Sequence, residues 1–162
     1  MAVKLNYQAV ATVMETLESN VAGAAAGNRV VTLNQYNSSA QLDANTTPPV
    51  TKTAVFLATL SGGALTLDLT ALTGTNGIAV DGTGLKVQLF KIKNKGANNL
   101  TVKFGASNPY NLLGASWTMI LAQNQEISFY GNDASPDISS SAKNIDLSGT
   151  TTQTSEVVIV MG

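Results

Sequence analysis

The chain has 162 residues, 44% of them hydrophobic, which suits one domain, or one domain and an arm. Only 12% are charged, about half the usual share, and the net charge of −1 lacks the basic excess of a free-standing nucleic-acid binder. Cys and His are both absent, which removes thiol nucleophiles, disulfides, Cys/His zinc sites, haem ligation and histidine general bases.

The missing charge is replaced by Thr, Asn, Ser and Gly, residues of strands and turns, so an all-β chain is expected. Residues 1–7 lack the apolar stretch of a signal peptide, so none is expected. No run approaches the ~20 apolar residues of a membrane-spanning helix, so no membrane partner is expected. Val3, Leu5, Tyr7 and Ala9 alternate with Lys4, Asn6 and Gln8, the period of a strand. From Val10 two readings are open. Val10, Val13, Met14, Leu17 and Val21 fit one face of a short helix capped by Thr12; equally, the strand continues as an extended arm. The Ala/Gly-rich residues 21–27 read as a connector, placing an N-terminal arm at 1–27 and a sandwich domain at 28–162.

Arg29–Gln35 is the next strand candidate, and Asn37–Val50, ending in Pro48-Pro49, is expected to be a loop. Lys52–Leu60 and Ala64–Thr70 are strands about a Ser61–Gly63 turn. Asn76-Gly77 and Asp81-Gly82 are signals for primed hairpin turns. Leu85, Val87 and Leu89 share one parity and Phe90 and Ile92 the other, so a bulge near Leu89-Phe90 or cover on both faces is expected. With Leu100, Val102 and Phe104, residues 85–104 read as a hairpin. Trp117–Leu121, Glu126–Tyr130 and Asn144–Leu147 follow. Glu156–Met161 is a continuous apolar run suited to a central strand. The expected fold is all-β: a β-sandwich or jelly roll of about eight strands with an N-terminal arm.

Few residues offer chemistry. Asn132, Asp133, Ser135 and Asp137 supply oxygen ligands of the kind Ca²⁺ takes, but at no EF-hand spacing, and a solvated turn is the plainer reading. Lys86, Lys91, Lys93, Lys95 and Lys103 form either a patch for an acidic surface or a guard on an exposed strand. Ser140-x-x-Lys143 lies in a Ser-rich loop without the flanking pattern of a catalytic serine. Tyr110, Trp117 and Tyr130 either line a sugar groove or belong to the core. We expect no enzyme, no cofactor and no metal.

Several segments resemble small structural proteins of tailed-phage virions. They are Leu65-Thr-Leu-Asp-Leu-Thr, Asn76-Gly77, Leu85–Asn94, Asn98–Pro109 (Asn-Asn-Leu-Thr-Val-Lys-Phe-Gly-Ala-Ser-Asn-Pro), Ile120–Phe129 and Glu156–Gly162. The resemblance covers about residues 60–162. It implies a capsid decoration or cement protein, made in the host cytoplasm and carried on the outer surface of the virion capsid. Its partners would be the major capsid protein and further copies of itself, as a dimer or trimer, with no nucleic acid. A carbohydrate- or receptor-binding sandwich of a tail or surface appendage is the alternative. Residues 1–27 lie outside the match, and their apolar side chains need burial. Val3, Leu5, Tyr7, Val13, Met14 and Leu17 are therefore the expected contacts with the capsid or a neighbouring subunit, the alternative being that the arm is the first strand of the same sandwich.

Overall fold

The computed structural model describes residues 2–17, 29–33 and 37–162, and among them it is all-β, with fourteen strands and no helix. The chain divides into two compact units, Leu5–Gln41 and Met1–Lys4 with Leu42–Gly162. The boundary expected at 27/28 and the connector 21–27 lie outside the described residues.

The smaller unit is a two-stranded ribbon. β1 (Leu5–Ala9) pairs with β4 (Ser38–Leu42), and β2 (Val13–Leu17) runs antiparallel to β3 (Arg29–Leu33) with Val13 opposite Leu33 and Leu17 opposite Arg29. Of the two readings for residues 10–17, the extended one holds. Val13, Thr16, Val30, Val31 and Thr32 are β-branched, favouring a pleated pair over a helix. Ser38–Leu42 corrects the loop expected at 37–50: alternation of Ser38, Ala40 and Leu42 was present but weak.

Eight strands build the larger unit: β5 (Lys52–Thr59), β6 (Ala64–Asp68), β9 (Val87–Asn94), β10 (Leu100–Phe104), β11 (Thr118–Leu121), β12 (Glu126–Tyr130), β13 (Asn144–Ser148) and β14 (Thr154–Met161). A short hairpin, β7 (Leu72–Thr73) with β8 (Ala79–Val80), is inserted between β6 and β9. One sheet has the order β12-β9-β14-β5, the other β11-β10-β13-β6. The pairs nest: β5 with β14, β6 with β13, β9 with β12 and β10 with β11, all antiparallel. This is one eight-stranded ribbon of nested pairs rolled into two sheets, the jelly-roll arrangement. Rolling adds the pairs β9–β14 and β10–β13. The hairpin expected at 85–104 is thereby corrected, because β9 and β10 belong to opposite sheets.

Alternation places the core. Ala54, Ala58, Phe90, Ile92, Val157, Ile159 and Met161 come from one sheet, and Leu67, Leu100, Val102, Leu121, Ile145 and Leu147 from the other; all join one buried cluster. β14 lies between β9 and β5, which explains its unbroken apolar run. The anticipated bulge falls at Gln88: Val160 stands opposite Leu89 but Met161 opposite Val87. The extra residue lets both Val87 and Phe90 be fully buried despite their opposite parity.

One end of the sandwich is tied by amides. Asn94 Nδ2 donates to the carbonyls of Asn98 and Leu121, while Gln153 Nε2 donates to Asn94 Oδ1 and to Asn98 O. Gln153 Oε1 accepts from the backbone and hydroxyl of Thr150. A side chain at Gly96 would lie 2.4 Å from Gln153 Cγ, so glycine is required where that loop crosses the amide. At the inserted hairpin Gly77 takes φ +77° as the Asn-Gly signal predicts, whereas Asp81 closes a turn onto Thr83 and Gly82 is not left-handed.

Candidate docking surfaces

The arm residues expected to make contacts differ in exposure. Val3 and Tyr7 are half-buried, and Leu5 is buried, while Lys4, Asn6 and Gln8 are exposed, so the predicted alternation is real. On the ribbon beyond β1 the order reverses. Val10 is 66% exposed, Val13 54% and Met14 71%. Leu17 lies in β2, but its side chain is outside the described residues. Val13 and Met14 are adjacent in a strand and therefore point to opposite faces, so both faces of the ribbon present apolar surface to solvent.

A cleft of about 400 Å³ opens in the larger unit beside the first residues of β5. Val3, Thr51, Lys52 and Thr53 form one side, and residues 74–76 and 78–81 of the inserted hairpin the other. Its only charged groups are Lys52 and Asp81, and the Lys52 ammonium donates to the Asp81 carbonyl. Hydrogen bonds from Thr83 hold the Asp81 carboxyl below its ordinary range.

Four of the five lysines singled out in the sequence, all but Lys103, are paired with carboxylates. Lys91 and Lys93 flank Glu126 at 3.4 and 3.9 Å, Lys95 meets Glu156 at 3.3 Å, and Lys86 meets Asp133 at 3.3 Å. β9 and β10 are interior strands, which corrects the reading of these lysines as an edge guard. Lys91 and Lys93 reach Glu126 across the β9–β12 pair, while Lys86 and Lys95 make their ion pairs just beyond the ends of β9, each exposed pair being worth about 0–1 kcal/mol.

The remaining candidates resolve into structure. Lys143 Nζ donates to Asp68 Oδ2 at 2.6 Å, so the Ser140-x-x-Lys143 ammonium is engaged by a carboxylate. Burial acts to raise the Asp68 carboxyl, but hydrogen bonds from Lys143 and Thr70 outweigh it and hold it below the ordinary value. Among the described residues no group of three acidic side chains converges on a metal position, and Asp133 is turned to Lys86.

Tyr110 is fully buried, and Trp117 is 7% exposed. The Tyr110 hydroxyl accepts from Val87 N at 3.1 Å and donates to Pro136 O at 2.7 Å, and Trp117 Nε1 donates to Tyr110 O at 3.3 Å. Burial pushes the Tyr110 phenol up to about 12. These two aromatics close the core beneath the 105–117 and 131–143 loops; Tyr130 alone stays half-exposed. Comparison with protein-family models, with curated proteins and with solved structures returns no match.

Sequence reasoning missed the Asn94–Gln153 tie, the strand β4, and the pairing of β2 with the strand it did expect from Arg29. An Asn and a Gln 59 residues apart carry no shared local signal. The ribbon could have been found by matching Val13–Leu17 against Arg29–Leu33, two five-residue segments rich in β-branched and apolar residues on either side of an Ala/Gly-rich stretch.

Proposed function

We propose that this chain is a non-enzymatic structural protein of a tailed-phage virion, a decoration or cement protein that binds the major capsid protein lattice on the outer surface of the head. The observation that carries the reading is the ribbon: Val13 and Met14 on β2, and Val10 just before it, are more than half exposed, and among the described residues β2 and β3 pair only with each other. A lone two-stranded ribbon is marginal in water. Burying each such side chain against a partner contributes about 1.5–3 kcal/mol. A lattice repeats the contact many times, so modest single sites yield high avidity. The jelly roll supplies a stiff body, and its paired lysines leave little net charge to repel a crowded neighbour. Both suit a part whose work is to bridge subunits and resist their separation. The carbohydrate-binding alternative has lost its main support, since Tyr110 and Trp117 serve the core.

The test is composition and imaging of purified virions. The chain should be present in stoichiometric amount, with density for the jelly roll outside the shell. Particles lacking it should bind the full chain and should not bind a variant in which residues 5–41 are replaced by a short linker. Absence of the chain from virions overturns the reading.

A further inference from the structure

Among the described residues the two four-stranded sheets of the larger unit have four edges, and one of them is unguarded. β11 has four residues and β6 five, short enough to offer little. β12 has five and carries Glu126, held by two lysines. β5 has eight, pairs on one side with β14 over its whole length, and ends its sheet. In an antiparallel ladder alternate residues turn their N–H and C=O away from the neighbour, so such an edge presents a row of unpaired backbone groups. Short strands, bulges, prolines and edge charges are the usual protections. From Thr53 to Thr59 β5 has none of them.

Its side chains point the same way. The inserted hairpin and Val3 flank the edge at Thr51–Thr53, where the cleft lies. Beyond that, Val55 is 44% exposed and Leu57 59%, on the outer face of the sheet. Val158 lies opposite Val55 on β14 and continues the apolar strip inward.

We propose that the Val55–Thr59 stretch of β5 pairs antiparallel with the same stretch of a second copy, about a two-fold axis at Leu57, joining two four-stranded sheets into one of eight. Leu60 N donates to Gln153 O just ahead of β14, so the alternate residues Val55, Leu57 and Thr59 turn their backbone groups to the open edge; a two-fold at the central one, Leu57, sets Leu57 opposite its own copy, Val55 opposite Thr59, and Phe56 opposite Ala58. The contact is isologous and closes as a dimer. Charge allows it. The stretch contains no charged residue, and the nearest like charges, the two Glu156 side chains, are three strand spacings apart, about 14 Å, beyond the screening length at physiological salt. A second copy is the fitting occupant because the strand is its own complement: each apolar side chain exposed at this edge is covered by the symmetry-related strand, and no charged partner is called for. The pairing does not depend on the virion reading and is tested apart from it.

The test uses the full chain in solution, with mass measured by light scattering and native mass spectrometry. The wild type is expected to be a dimer at micromolar concentration. Leu57→Lys should move the monomer–dimer midpoint at least tenfold higher without changing the circular dichroism spectrum. Ile120→Lys, an equally exposed site on β11 (63%), should leave it in place. Because the chain has no cysteine, Leu57→Cys gives a clean report: directly opposite strand residues sit about 4.5–5.5 Å apart at Cα, within disulfide range, so mild oxidation should give a covalent dimer. A wild type that stays monomeric at high micromolar concentration, a dimer indifferent to Leu57→Lys, or a Leu57→Cys protein that forms no covalent dimer each overturns the proposal. If Leu57→Lys instead abolishes particle binding while the free protein is a monomer throughout, the edge belongs to a different chain and self-pairing is refuted.

Discussion

The ribbon and the jelly roll are built from the same kind of strand and end in opposite states. β14 has a neighbour on each side and the core beneath it, and Val157, Ile159 and Met161 are fully buried. β2 has one neighbour among the described residues, and Val13 and Met14 remain mostly in water. Alternation alone therefore does not bury a side chain. Burial requires a second layer, and two strands cannot supply one to themselves. The ribbon carries apolar side chains that its own pairing does not cover, and the proposed function assigns that surplus to contact with a partner.

Truncation separates the two regions most sharply. Ile159→Ala should cost about 2–5 kcal/mol, because the surrounding sheets relax only partly around the cavity. Chemical denaturation measures it; a loss below 1 kcal/mol would mean the sandwich is as loosely covered as the ribbon. Tyr110→Phe should cost about 1–3 kcal/mol by leaving Val87 N and Pro136 O unpaired in the core. The same residue sets an alkaline limit. Its folded phenol titrates near 12, above its ordinary value of 10.0, so its contribution is complete below that ordinary value and is lost as pH rises toward 12. Phenolate absorbance should show one tyrosine titrating late and together with unfolding.

A smaller effect belongs to the Lys143–Asp68 pair, whose side chains are 24% and 32% exposed. The Asp68 carboxyl is depressed in the folded chain, so its contribution is present above the ordinary carboxylate range and is lost as pH falls through the lowered value. Asp68→Asn should flatten the acid limb of the stability curve by at most about 1 kcal/mol. Least of all, Met14→Ser should change stability by no more than about 0.5 kcal/mol, as for other exposed positions, yet weaken particle binding. A large loss of stability there would show that the ribbon's apolar side chains serve the fold instead.

What was legible in the sequence was whatever a strand's own pleat imposes. Leu65 and Leu67 turned one way and Thr66 and Asp68 the other, and the apolar run ending at Met161 announced a strand central in its sheet. The Asn76-Gly77 turn and the count of about eight sandwich strands followed from local chemistry in the same way. The loop-like composition of residues 37–50 concealed β4, since Ser38, Ala40 and Leu42 alternate without strong contrast. Of the candidate contacts, Val3, Leu5 and Tyr7 were recognisable as one face of a strand. That Val13 and Met14 are exposed was not, because exposure depends on the absence of a second layer.

The sequence by itself determined where strands lie and which way their side chains alternate, because these depend on residues one or two positions apart. The tertiary structure alone decided which strands meet. β5 pairs with β14 across roughly a hundred residues, and β9 and β10, separated by a short turn, part to opposite sheets. Two adjacent strands have the same local pattern whether they pair with each other or cross the core, so no local signal distinguishes the outcomes. The closure of the whole nested ribbon selects between them. The same closure made β9 an interior strand, buried Tyr110 and Trp117, and left β5 as the open edge.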